Sequence, residues 1–182
     1  DRIIEQTARM GMGAVALTDH GNMCGAVEFY RKARKAGIKA IVGMEAYVAA
    51  KSRFDRAGKI GEDSAHLTLL AANEQGYRNL IILSTLAQKE GFHYRPRIDR
   101  DLMKEHHEGL VVLSGCLKGD IAQFLLAGKA AQAEERALWY RDLMGPGNYY
   151  IEIMDHGIAE QKKINPQLAA LAKKTGIPLV AT

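Results

Sequence analysis

The chain has 182 residues, 47% of them hydrophobic and 25% charged, with 25 Lys and Arg against 21 Asp and Glu. That is enough for one ordinary domain with a real core, in the composition of a soluble globular protein. The net charge of +4 permits an anionic partner without arguing for one. Two cysteines, Cys24 and Cys116, exclude a disulfide framework and point to a reducing cytoplasm. No apolar run approaches the roughly 20 residues that span a bilayer, so no membrane partner is expected. The first residue is not Met, the opening "DRIIEQTARMG" reads as a helix, and the end follows a strand-like "IPLVAT". A fragment cut at both ends is therefore expected.

After the opening helix, "AVAL" (14–17) reads as a short buried strand. "GAVEFYRKARKAG" sets Val27, Tyr30 and Arg34 at helical spacing and stops at Gly37. "IKAIVGMEAYVAA" is rich in β-branched residues and reads as a strand interrupted by Gly43. Residues 51–63, "KSRFDRAGKIGED", carry charge and glycine without periodicity and predict a mobile loop. "HLTLLAA" returns to strand character, and "GYRNLIILSTLAQKEG" predicts a helix bounded by glycines. "GLVVLSGC" predicts a strand and turn, followed by the helices "DIAQFLLAG" and "AAQAEERALWYRDLM". "YYIEIMDHG" is a strand and turn, "AEQKKINPQLAALAKKTG" a helix and "IPLVAT" a last strand. No repeat or composition break marks a linker, so residues 1–182 read as one domain. The regular alternation predicts an α/β fold of parallel strands joined by crossovers, with chemistry on loops at the carboxyl ends of strands.

Several polar residues sit at such ends. His20 follows Leu17 by three residues, Cys116 follows Leu113 by three, and Asp155 and His156 come directly after "YYIEIM". Glu45 lies inside the apolar run "IVGMEAYV", where an ionised carboxylate is costly unless paired or bound to a cation. His66 opens its strand instead of following it. Imidazole, carboxylate and thiolate are the donors that bind zinc, manganese or iron. Their scatter along the chain excludes a zinc finger and suits a barrel mouth. Each residue also has a plainer reading. A lone His beside a strand is commonly a hydrogen-bonded structural residue, Glu45 can pair with a helix Lys, and Cys116 can be a small buried hydrophobe. His106 and His107 in "KEHHEG" read as solvated. "FHYRPRIDR" mixes arginines with aromatics, a pattern suited to phosphates and bases but also to a plain basic turn. No phosphate-binding GxxxxGK[ST] loop, dinucleotide fingerprint or GxSxG nucleophile elbow occurs.

The combination is more specific than its parts. "LTDHGNMCGAVEFYRKARKAGIKAIVGMEAYV", "HLTLLAANEQGYRNLIILSTLA", "YRPRID", "GLVVLSGCL" and "YYIEIMDHGIAEQKKINPQLAALAKKTGIPLVAT" closely resemble, in order, the PHP (polymerase and histidinol phosphatase) domain of bacterial DNA polymerase III alpha subunits. The resemblance implies a distorted seven-stranded (β/α) barrel of the PHP type, here truncated at both ends, holding up to three divalent metals, zinc or manganese. It implies that His20, Glu45, His66 and Cys116 are metal ligands, the family's five others lying outside this chain. Asp19 is then expected to orient a ligand from behind, and Arg95 and Arg97 of "YRPRID" to contact nucleic acid. The implied chemistry is metal-assisted phosphodiester hydrolysis, in some relatives a 3′–5′ proofreading exonuclease, within a cytoplasmic DNA polymerase. That polymerase uses primer-template DNA, deoxynucleotides and Mg²⁺ at a site outside this chain, with a sliding clamp, clamp loader and other replisome subunits as partners. The alternatives are a PHP domain that only supports the polymerase, a free-standing phosphatase of a small phosphate ester, and a repair polymerase of family X.

Overall fold

A computed structural model describes residues 2–57 and 64–182. Helix α1 (Arg2–Arg9) leads into strand β1 (Ala14–His20), longer by three residues than its apolar run because the strand continues through Thr18, Asp19 and His20. Helix α2 (Ala26–Lys35) returns the chain to strand β2 (Lys39–Ala49), which pairs in parallel with β1. The helical period predicted for α2 holds, but its phase is shifted by one residue. Ala26, Phe29 and Ala33 are buried, while Val27 and Tyr30 stand 56% and 45% exposed.

Strand β3 (Ser64–Ala71) departs from the expected parallel order. It runs antiparallel to β2 and also to strand β5 (Leu110–Leu113). A parallel return needs a long crossover, usually a helix, and residues 50–57 contain none. Between β3 and β5 lie helix α3 (Glu74–Lys89), the two-residue strand β4 (Arg97–Ile98) and helix α4 (Arg100–His106). Strand β4 lies parallel to β2 at Tyr47 and Val48, just past Glu45 where the pairing with β1 ends. Helices α5 (Asp120–Leu126) and α6 (Ala130–Met144) then lead to strand β6 (Tyr149–Ile153), and helix α7 (Ala159–Thr175) leads to strand β7 (Leu179–Ala181). Both β5–β6 and β6–β7 are parallel. The sheet order is β1-β2-β3-β5-β6-β7, with no pairing between β1 and β7. This is the α/β architecture of a truncated (β/α) barrel, open between its first and last strands.

Helices α3 to α7 bury their apolar faces against this sheet. Leu69 of β3, Leu80 and Leu83 of α3, Ile121 of α5 and Ile151 of β6 are wholly buried in one continuous core. Helix α7 holds its course through Pro166 because Ile164, Leu168 and Leu171 keep it packed on that core. Helix α3 is capped by Asn73, whose side chain accepts from the Gly76 amide at 3.0 Å.

The mobile loop predicted at 51–63 is tied down over its described part. Arg53 bridges Glu90 at 2.7 Å and Asp99 at 3.1 Å, drawing residues 51–57 onto the α3–β4 connection. The rest of that loop, residues 58–63, lies outside the described residues. Among the described residues no helix is long and apolar enough to cross a membrane.

Candidate metal centre

The sheet register assembles the site at the end of the molecule where the parallel strands finish. His20 is the last residue of β1 and stands opposite Glu45 of β2. On the other side of β2, Tyr47 stands opposite His66 of β3. Side chains two apart on a strand share a face, so Glu45 and Tyr47 lie between the two histidines. His20 Nε2 is 3.4 Å from Glu45 Oε2, and His66 Nδ1 is 2.5 Å from Glu45 Oε1. The carboxylate therefore reaches one imidazole with each oxygen. Nitrogen and oxygen donors of His20, Glu45 and His66 all lie within 4.8 Å of one another.

Cys116 arrives on the turn after β5. Its Sγ lies 3.7 Å from Glu45 Oε1 and 3.6 Å from His66 Nδ1. That turn is sewn to β3: the His66 amide donates to the Lys118 carbonyl at 3.0 Å, and the Lys118 amide donates to Cys116 Sγ at 3.4 Å. Gly115 makes the approach with φ +85°, and a Cβ there would fall 2.6 Å from the His66 carbonyl oxygen. A side chain at 115 would push Cys116 away from the histidine. Gly21 does the equivalent work after His20, at φ +66°, where a Cβ would strike Pro96 at 2.7 Å. Donors bonded to one zinc-like ion at about 2.0–2.3 Å stand roughly 3–4 Å apart. The separations of 3.4 Å from Glu45 to His20 and of 3.6 and 3.7 Å from Cys116 to His66 and Glu45 fit that spacing, whereas His66 and Glu45 stand at hydrogen-bond distance; the nitrogen, oxygen and sulfur donor set suits zinc or manganese.

The electrostatics of the cluster are those of groups that share protons. Burial alone would push the Glu45 carboxyl up, but the His66 hydrogen bond and the charges of His20 and His66 hold it below its ordinary value. Burial likewise disfavours a charged His66, yet hydrogen bonds and charge from Cys116 and Glu45 prevail and raise it to about 9. A cation held here by His66 would take the place of that proton, since imidazole ligates only when neutral.

Two residues of the site were not anticipated. The Tyr47 ring meets His66 edge-on with centroids 5.1 Å apart, and the Arg95 guanidinium lies over it at 4.8 Å. The signal for Tyr47 was its position two after Glu45 on one strand. Glu152 of β6 is buried and accepts from the Gly115 amide at 3.1 Å, from Thr68 at 3.3 Å and from Thr182 at 2.8 Å. It ties the Cys116 turn to β3 and to the end of β7. Desolvation raises its carboxyl above the ordinary range, against the pull of those donors.

Other expected site residues lie elsewhere. Asp19 does not touch a histidine. It alternates to the opposite face of β1 from His20, and its Oδ2 accepts from the Gly25 amide at 3.0 Å, holding the turn into α2. Arg97 is not a surface contact for nucleic acid. It is 1% exposed, and its guanidinium donates to the carbonyls of Gly91 at 3.1 Å and Asp55 at 2.6 Å. Arg95 precedes β4, in an irregular stretch where Tyr94 takes φ +57°, so it stays at the site while Arg97 enters the strand with its guanidinium buried. Asp155 and His156 form an exposed turn in which the His156 amide donates to Gln161 at 2.8 Å. His106 and His107, expected to be solvated, are half-buried at the end of α4, where His107 Nδ1 meets the Lys104 carbonyl at 2.9 Å.

The family model described as PHP domain matches residues 1–156. The chain is 50% identical over 182 residues to DNA polymerase III subunit alpha of Treponema pallidum, covering 100% of this chain and 16% of that protein. It is 50% identical over 171 residues to the subunit of the same name from Thermus aquaticus, covering 93% of this chain and 14% of that protein. The chain thus spans only a minor part of the curated relatives it matches. An amidohydrolase from Chromobacterium violaceum, solved with bound sulfate and no metal, shares the fold at a TM-score of 0.51 and 15% identity, over 98% of this chain and 81% of that one. With most of its length under that one family model, and with relatives that align across it, the chain belongs to the PHP domain family.

Proposed function

We propose that this chain is the PHP domain of a DNA polymerase III alpha subunit and that its metal centre hydrolyses phosphodiester bonds. The observation that carries the reading is the cluster of His20, Glu45 and His66 at the barrel mouth, with the Cys116 thiol beside Glu45 and His66. PHP domains imply divalent metals, and this donor set fits zinc or manganese. Bound there, such a metal lowers the pKa of a coordinated water and steadies charge on a transferring phosphate. The chain's own residues do the positioning. Glu45 fixes both imidazoles with its two oxygens, and the packing of Tyr47 against His66 sets that ring's plane. Arg95, partly exposed above Tyr47, offers a cation to a nucleic-acid backbone beside the centre.

In this reading the domain trims 3′ ends as a 3′–5′ exonuclease within a cytoplasmic replicative polymerase. The whole protein extends primer-template DNA with deoxynucleotides and Mg²⁺ and works with a sliding clamp, a clamp loader and further replisome subunits. The relatives' name, DNA polymerase III subunit alpha, supports a polymerase as the whole protein, and the rest of this reading rests on the family resemblance.

Elemental analysis of the full-length protein, beside a His20→Ala plus His66→Ala variant, tests the metal centre. Loss of zinc or manganese from the variant is expected, together with loss of 3′ trimming of single-stranded oligonucleotides. Equal metal in both proteins would sink the assignment. Metal without any trimming would leave a supporting domain.

A further inference from the structure

A cavity of about 580 Å³ opens beside His66, between the ends of β2 and β3 and the start of α5. Among the described residues its charged lining consists of Arg95, Lys118 and Arg136 against one acid, Asp120. Arg136 Nη1 lies 2.5 Å from Asp120 Oδ2, so that acid is already matched by one cation. Among the described residues, Arg95 and Lys118 have no carboxylate partner. The cavity is therefore cationic, and it adjoins the metal centre through two direct routes. Arg95 lies over Tyr47, whose ring meets His66. Lys118 is held at its backbone by the His66 amide and by Cys116 Sγ, while its side chain stays exposed. The same turn that places the thiol thus sets an unpaired ammonium at the cavity wall. The remaining carboxylate oxygen, Asp120 Oδ1, is buried without a hydrogen-bond partner among the described residues.

We propose that this cavity is a second phosphate subsite. Arg95 and Lys118, backed by Arg136, hold a backbone phosphate of a polynucleotide next to the one presented to His20, Glu45, His66 and Cys116. The inference rests on the phosphodiesterase reading above and deepens it. A small ester with one phosphate leaves the subsite idle, whereas a chain with two or more engages both. Interactions made equally in the bound complex and the transition state act on KM more than on kcat. Removing one phosphate-binding cation also lowers the salt slope of single-strand binding by about 0.7.

The test uses the full-length protein loaded with manganese or zinc. Acetylation of Lys118 by a succinimidyl ester, read by peptide mass spectrometry, should be suppressed severalfold by phosphorothioate-linked tetrathymidylate. Bis(4-nitrophenyl) phosphate at saturation should not suppress it. Lys118→Ala, at an exposed position that folding tolerates, should raise KM for tetrathymidylate about tenfold, at least fivefold more than KM for bis(4-nitrophenyl) phosphate. Arg95→Ala should behave likewise. Equal effects on both substrates, or no protection of Lys118 in a protein whose trimming requires His20, would overturn the subsite and leave the phosphodiesterase reading standing. Protection of Lys118 in a protein that neither retains metal nor trims would support the subsite and overturn that reading.

Discussion

Glu45 is the residue on which the site turns, because each of its oxygens faces a different histidine. With Glu45→Gln, His66 loses the charge that helps hold it near 9, and metal content should fall severalfold by elemental analysis. The raised His66 pKa also predicts a pH dependence for the metal-stripped protein. A histidine whose folded value exceeds its unfolded value of 6.5 stabilises the fold fully below pH 6.5 and loses that contribution as pH rises towards 9. Thermal melting with chelator present should therefore show a midpoint that declines across that window. In Glu45→Gln the decline should be shallower, and an unchanged profile would remove Glu45 as the cause. The two arginines of "YRPRID" separate by the same kind of argument. Arg97→Ala strips buried carbonyls of their donors and should cost about 2–4 kcal/mol in denaturant unfolding. Arg95→Ala, resting on a ring at the surface of the site, should stay within about 0.5 kcal/mol. Similar losses in both would contradict the inward and outward assignment around β4.

At the scale of elements, the strands and helices were legible because local chemistry and tertiary burial agree. The β-branched run of β2 and the Asn73 cap of α3 need no distant partner to be read. Direction and phase were less legible. Nothing within "HLTLLAA" reveals that β3 runs antiparallel; the clue is the helix missing from residues 50–57. In α2, Val27 and Phe29 are both apolar, and only the sheet decides that Phe29 faces inward. The proposed ligand set was visible only as a pattern across the chain, whereas Tyr47 and Glu152 hid inside strands that look like ordinary core. Asp19 sits away from the histidines because alternation along β1 turns it from the face of His20, and Arg97 because its guanidinium is taken up by the carbonyls of Gly91 and Asp55, the second of them distant in sequence. The burial of α3 can be tested directly. Leu83→Ala empties a fully buried position against β3 and should cost about 2–5 kcal/mol, seen as a lowered denaturant midpoint at unchanged slope. A loss below about 1 kcal/mol would mean that α3 is less tightly packed than described.

For the molecule as a whole, the open sheet matters most. Strand β1 pairs only with β2 and strand β7 only with β6, so each presents one unpaired edge among the described residues. Unpaired edges recruit further strands. The 182-residue chain produced by itself should therefore associate as its concentration rises, with an apparent mass above 20.0 kDa in light scattering. A monomer at every concentration would mean that the edges are protected by other means. The four proposed donors come from β1, β2, β3 and the turn after β5, so no local segment can form the centre alone.

The stitch between His66 and the turn at Lys118 gives this last point a reach beyond the site. Because donors meet only when distant strands have docked, occupancy by metal and completion of the fold are thermodynamically linked. Any substitution that loosens the docking of β5 on β3, however far from the donors, should weaken retention of the ion against a chelator. The rate at which the ion escapes would then serve as a gauge of how often that half of the sheet opens.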